Sequence, residues 1–176
     1  MDVVIQERRF TFSSEYEILG AGPALRARRE AFSFPARIQV KFENGPTFVT
    51  IQGRLAIVRR KYNIHFADGR DYAFHCEKVR KGVYHCQRGD DVYRLYHHRG
   101  HRYSIFRNDR QIAAVQRAVY TVSRGNRFEV RMNRDADVTM VASMVLAMNH
   151  AEGESDAYEH VRGSEDRKFD DNWQPT

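Results

Sequence analysis

Residues 138–148 read VTMVASMVLAM, an apolar run interrupted only by Thr139 and Ser143. A helix that is hydrophobic on every side is either enclosed by protein or placed in lipid. At about 1.5 Å per residue this run reaches about 16 Å, roughly half the hydrocarbon thickness of a bilayer. It therefore predicts an enclosed core helix over residues 137–150. Asp135 and Asp137 offer N-cap oxygens and negative charge at the positive end of the dipole, and Gly153 follows as a stop.

Almost everything before that helix alternates with the period of a strand, broken by turn dipeptides. Asn44-Gly45 suits a two-residue hairpin turn. Closing it sets Phe42 against Thr47, Val40 against Val49 and Ile38 against Ile51. A two-residue loop at Asp68-Gly69-Arg70 would throw the apolar faces onto opposite sides. A longer loop centred on Gly69 instead pairs Phe66 with Tyr72, Ile64 with Phe74 and Tyr62 with Cys76. Gly89-Asp90 joins Cys86 to Tyr93 and Tyr84 to Leu95, and Arg124-Gly125-Asn126 joins Val122 to Phe128 and Tyr120 to Val130.

About eleven or twelve strands result, mostly in nearest-neighbour order. One antiparallel sheet of that size leaves unpaired edges unless it closes. Closure around the apolar helix satisfies both elements. The expected fold is mainly β, a closed antiparallel barrel of about twelve strands around a central hydrophobic C-terminal helix. Tyr62, Ile64, Phe66, Tyr72, Phe74, Tyr84, Leu95, Phe128 and Val130 should point inward. The domain is expected to span 1–152, leaving 153–176 as an acidic, flexible tail.

Composition changes this picture in one respect. The net charge of +6 is divided: eight acidic against three basic residues after residue 150 give the tail −5, and residues 1–150 carry +11. Such a body attracts lipid or nucleic-acid phosphates without naming either. The first ten residues do not form a signal peptide, and the chain lacks a transmembrane run, so a cytoplasmic protein, at most peripheral to a membrane, is expected.

The chemistry-bearing residues are few. His75-Cys76 and His85-Cys86 have zinc-ligand types, but adjacent strand residues point to opposite faces. If Cys76 and Cys86 face inward with Phe74 and Tyr84, the two histidines face outward, and four ligands cannot converge. The cysteines, roughly opposite across their hairpin, are then small reduced hydrophobes. His97, His98 and His101 flank a turn and should face solvent. No nucleophile elbow, zinc-protease motif or P-loop occurs, and Gly20-Ala21-Gly22 is followed by Pro23, outside the dinucleotide fingerprint. Neither an enzyme nor a cofactor is expected.

The basic groups most able to form a patch are Arg59, Arg60 and Lys61, with Arg26, Arg28, Arg29, Lys78, Arg80 and Lys81. On a strand Arg59 and Lys61 share the outer face if Tyr62 is inward, and could hold a phosphorylated head group.

The stretch LAIVRRKYNIHFADGRDYAF, then GVYHCQRGDDVYRLYHHRGHRYSIFRNDRQIAAV, then the helix DADVTMVASMVLAMNHA, resembles the tubby C-terminal-like superfamily. Turn-punctuated strands opening on aromatics and a terminal apolar helix carry the likeness, over roughly residues 10–151. It is greatest to bacterial and plant LURP-one-related proteins, relatives of tubby and the phospholipid scramblases. The resemblance implies a closed barrel threaded by its C-terminal helix. Tubby proteins bind phosphoinositides through basic residues on the barrel exterior and scramblases act at membranes, while most LURP-one-related members have no established activity. Arg59, Arg60 and Lys61 are the nearest lipid-site candidates; the Cys-rich and Ca-binding segments of scramblases have no counterpart. The expected function is a non-enzymatic binding module for an anionic membrane surface or phosphoinositide. A protein-interaction domain working through the acidic tail or the barrel surface comes second. Nucleic-acid binding by the Tyr- and Arg-rich run 93–106 comes third.

Overall fold

The computed structural model describes residues 1–10, 13–20, 22–43, 45–54, 61–78, 81–119, 125–153 and 167–176. Among the described residues, twelve strands precede one helix. They are β1 (Asp2–Arg9), β2 (Ser14–Leu19), β3 (Leu25–Arg29), β4 (Arg37–Phe42), β5 (Thr47–Arg54) and β6 (Lys61–Phe66). Then come β7 (Asp71–Lys78), β8 (Val83–Arg88), β9 (Asp91–His98), β10 (Arg102–Arg107), β11 (Arg110–Val119), β12 (Asn126–Met132) and the helix α1 (Val138–Gly153). Every strand pairs antiparallel with its sequence neighbours, and β1 pairs with β12 to close the barrel. Closure removes the unpaired edges that an open sheet of twelve strands would expose.

The helix fills the interior. All twelve residues from Met140 to Ala151 are buried, whichever way their side chains point, as an apolar surface on all sides requires. Asp137 is the N-cap: its Oδ1 accepts from the backbone N of Thr139 at 2.9 Å and of Met140 at 3.1 Å. Its Oδ2 takes Arg70 Nη1 at 2.7 Å, tying the helix start to the β6–β7 turn. Asp135 lies outside the cap and pairs with Arg110. The nine residues expected to point inward, from Tyr62 to Val130, are all buried in one core.

Three expected registers need correction. At the β6–β7 hairpin Ile64 faces Tyr72 and Tyr62 faces Phe74, a shift of two residues. The loop is tighter than expected because Gly69 takes φ +85° and Phe66 N donates to Arg70 O at 2.8 Å. A shift of two keeps every side chain on its own face, so the burial pattern survives. In the β4–β5 hairpin Val40–Val49 and Ile38–Ile51 pair as expected, but a bulge after Val40 sets Lys41, not Phe42, against Thr47. Asn44 of that turn lies outside the described residues.

Between β11 and β12, Val115 faces Val130 and Arg117 faces Phe128; Tyr120, Val122 and Arg124 lie outside the described residues. Here β1 overrides the local turn signal. Glu7 Oε2 accepts from Asn126 N at 2.9 Å, and a side chain on Gly125 would meet the Glu7 carbonyl at 2.7 Å. The start of β12 is thus set by its neighbour across the closing seam.

Cys76 and Cys86 are buried and unbridged. They are not opposite: Cys76 faces Tyr84 and Cys86 faces Phe74. His75 and His85 face each other on the outer side, ring centroids 5.2 Å apart.

Residues 167–176 lie against the barrel. Arg167 stands 4.2 Å over the Phe106 ring, and Phe169 meets His98 at 5.3 Å between ring centroids. Thr176 N donates to Asn133 Oδ1 at 2.9 Å. These contacts cover Tyr96 and Phe106, apolar residues on the outer face of β9 and β10. They give the end of the chain a seat that a compositional reading of a free tail does not anticipate.

Candidate functional site

In an antiparallel barrel of this order the odd strands end, and the even strands begin, at one rim. At that rim the helix stops being apolar: Asn149, His150 and Glu152 follow Met148. Each meets polar side chains from strand ends, since a buried polar group is retained when a partner satisfies it.

Glu152 accepts from Tyr84 Oη at 3.1 Å, Tyr103 Oη at 3.0 Å and Arg117 Nη1 at 2.9 Å. Its side chain is only 6% exposed, and burial pushes the carboxyl up while Arg117 and the two phenols pull it back. Burial works against the Arg117 charge, but Tyr103 and Glu152 outweigh it and hold its pKa above the ordinary guanidinium value. His97 stacks on Tyr103 with centroids 4.6 Å apart, and burial, with nearby cationic groups, lowers it to about 4. His98 is buried with Nε2 2.7 Å from Ser104 Oγ. The expectation that His97, His98 and His101 face solvent therefore holds for His101 alone. β9 runs on to His98, so strand alternation aims His97 inward and His98 outward, where Phe169 covers it.

A second network lies across the helix end. Tyr16 Oη donates to Glu7 Oε1 at 3.2 Å, Asn149 Nδ2 to Tyr16 Oη at 3.3 Å, and Asn126 Nδ2 to Asn149 Oδ1 at 2.8 Å. Burial, and then the Glu7 charge, push the Tyr16 phenol up. Tyr62 Oη and His150 Nδ1 are 2.8 Å apart. Arg9 Nε reaches Glu7 Oε2 at 3.2 Å.

This network borders a cavity of about 510 Å³. Buried Glu7, Tyr16, Asn149 and His150 line it together with Ser13, Ser14, Ser33, Arg9, Arg29, Phe10 and Phe32. Guanidinium forks beside hydroxyls are donors suited to a phosphate or carboxylate.

Of the residues singled out in the sequence, Arg59, Arg60 and Arg80 lie outside the described residues. Lys61 opens β6 and is exposed on the outer wall, facing Arg54 of β5 and His75 of β7. The same cross-strand row continues through His85 to Arg94. Arg29 lines the cavity, whereas Arg26 and Arg28 point outward onto Glu43 and Glu15. Of these four described members, Arg29 therefore sits at the cavity, while Lys61, Arg26 and Arg28 lie on the outer wall. Sequence reading passed over Glu7, Arg9, Arg117, Asn149 and Glu152. A signal existed: Glu7 and Arg9 continue the inward phase of Val3 and Ile5, and Arg117 that of Ala113 and Val115.

The strand ends give a wider pattern. At this rim seven strand termini are basic: Arg9, Arg29, Arg54 and Lys78 end strands, and Arg37, Lys61 and Arg102 begin them; none is acidic. The opposite rim has Asp2, Asp71 and Asp91 balanced by Arg88, Arg107 and Arg110. Glu7, Glu30 and Asp171 pair with Arg9, Arg37 and Arg102.

Among the described residues no group of three or more His, Cys, Asp or Glu side chains is arranged to hold a metal ion, and no helix is long and apolar enough to cross a membrane. No curated protein and no solved structure matches the chain. The family model described as LURP-one-related matches residues 1–149. That span takes in all twelve strands and most of the helix they enclose, the barrel-and-helix arrangement fits the tubby-like fold, and the chain belongs to the LURP-one-related family.

Proposed function

We propose that this barrel is a non-enzymatic binding module, peripheral to the cytoplasmic face of a membrane, that associates with anionic phospholipid head groups. The asymmetry of the rims carries this reading: seven basic strand termini surround the helix end, and the other rim is balanced. Cations gathered on one end orient the molecule in the field of an anionic leaflet, each contributing about 1 kcal/mol near the surface. Lys61, with Arg59 and Arg60 preceding it in the chain, is the first contact candidate on the outer wall, and Arg9 and Arg29 are the candidates within the cavity.

The nucleic-acid alternative has less support. Tyr93, Tyr96, Tyr103 and Phe106, which would have to serve as stacking platforms, are buried, and stacking needs an accessible ring face.

Co-sedimentation with vesicles of phosphatidylcholine alone, or mixed with phosphatidylserine, over a salt series tests the reading. Recovery with the anionic vesicles should be high at low salt and fade as the Debye length shrinks. Equal recovery with both vesicle types at low salt would overturn it.

A further inference from the structure

Two connections at the basic rim share one pattern. The chain reads Arg8-Arg9-Phe10-Thr11-Phe12-Ser13 after β1 and Arg28-Arg29-Glu30-Ala31-Phe32-Ser33-Phe34-Pro35 after β3. In each, a pair of arginines ends the strand and two phenylalanines follow. Pairing of Glu15 with Arg28 sets the start of β2 beside the end of β3, so both connections emerge side by side. Phe10 and Phe32 border the same cavity.

Their exposure is unusual. Phe10 is 55% exposed, Phe32 85% and Phe34 86%, and the three form the majority of the exposed large hydrophobics among the described residues. The β3–β4 connection is braced while it presents Phe32 and Phe34. Ser33 Oγ donates to Glu30 O at 3.1 Å and accepts from Arg37 N at 3.0 Å. Gly53 N donates to Ala36 O at 2.7 Å, and Gln52 Nε2 to Pro35 O at 3.3 Å. A hydrogen-bonded loop that holds aromatic rings outward, on the rim that is richest in cations, matches the chemistry of a bilayer interface. Aromatic rings sit there at head-group depth while arginines meet phosphates.

We infer that the β1–β2 and β3–β4 connections form a membrane-insertion edge, with Phe10, Phe32 and Phe34 entering the acyl boundary and Arg9 and Arg29 engaging the phosphates above them. This rests on the anionic-lipid reading and adds an orientation. The barrel stands with its helix C-terminus toward the bilayer, and the cavity opens onto the head groups.

The test uses the full chain and vesicles of phosphatidylcholine with phosphatidylserine. Phe32→Ala/Phe34→Ala should weaken partitioning on the order of tenfold for each ring withdrawn, and the loss should persist at high salt, where Arg54→Ala/Lys61→Ala has little further effect. Phe34→Trp in a Trp173→Phe background should blue-shift on binding and be quenched by lipids brominated near the head of the acyl chain. If the wild type binds anionic vesicles but the double alanine variant binds equally well and the introduced indole is not quenched, the insertion edge is wrong and the electrostatic reading survives. If the wild type does not bind anionic vesicles at low salt, the reading itself fails. Concentration-dependent self-association or capture of a protein that the alanine variant abolishes, without quenching, would assign the phenylalanines to a protein interface and overturn the inference.

Discussion

Arg117 Nη1 lies 2.9 Å from Glu152 Oε2, joining an inward-pointing cation near the end of β11 to an anion on the last turn of α1. Both are largely buried, at 16% and 6% side-chain exposure. Removing one member of such a pair leaves an uncompensated charge, whereas removing both leaves none. Arg117→Ala should destabilise the barrel by about 3–5 kcal/mol. Arg117→Met/Glu152→Gln should lose less than the single variant. Urea denaturation of the three proteins measures this, and an Arg117→Ala loss below that of the double variant would contradict it.

Acid should weaken the fold through two buried histidines. Burial first, then neighbouring cations, lowers both His97 and His98 from 6.5 to about 4. Between those values the unfolded chain takes up protons that the native chain refuses. Stability is therefore present above pH 6.5 and lost as pH falls toward 4, by at most about 1.4 kcal/mol per pH unit for each histidine. Asp137, whose carboxyl lies below its usual range, loses its contribution only below pH 3.8. Denaturation midpoints across this range should slope for the wild type and slope less for His97→Phe, which can still stack on Tyr103.

The N-cap can be separated from its ion pair. Asp137→Ala removes the acceptor for Thr139 N and Met140 N as well as the partner of Arg70. A loss of about 1–2 kcal/mol follows from the cap alone. Asp137→Asn keeps an acceptor oxygen and should recover most of that loss. Thermal unfolding of the two variants distinguishes them, and equal Tm values would place the effect in the Arg70 pair.

Deep inside, Leu146 has no exposed surface. Leu146→Ala opens a cavity that twelve hydrogen-bonded strands cannot collapse around, and should cost about 2–5 kcal/mol. A loss well under that in denaturant unfolding would mean the helix is less tightly enclosed than its burial indicates.

At the surface, Arg54→Ala/Lys61→Ala should reduce binding to anionic vesicles at low salt, by about 1 kcal/mol per cation removed. The same substitutions should leave Tm nearly unchanged, because both side chains are exposed. Unchanged partitioning would move the lipid contact to the cavity arginines, which Arg29→Ala then probes.

Local pattern carried most of the architecture. An apolar run too short for a bilayer, polar on no side, together with period-two alternation ahead of it, leaves a closed sheet around a helix as the arrangement that buries both. Those are nearest-neighbour properties, readable along the chain. Lys61 and Arg29 were also visible as basic positions, and the outward pairing of His75 with His85 followed from alternation. The tertiary structure alone decided which polar residues meet. Glu7 with Asn126, Arg117 with Glu152 and Tyr62 with His150 are distant in sequence, and each pairing depends on where β1 closes against β12 and how far the helix runs before its polar turn. It also decided the side-by-side emergence of the two phenylalanine connections, because the adjacency of β2 and β3 brings together residues whose separate sequences show only loops. Burial selects apolar residues by type, but the partner of a buried charge is selected by position in space, and a linear pattern does not hold that information.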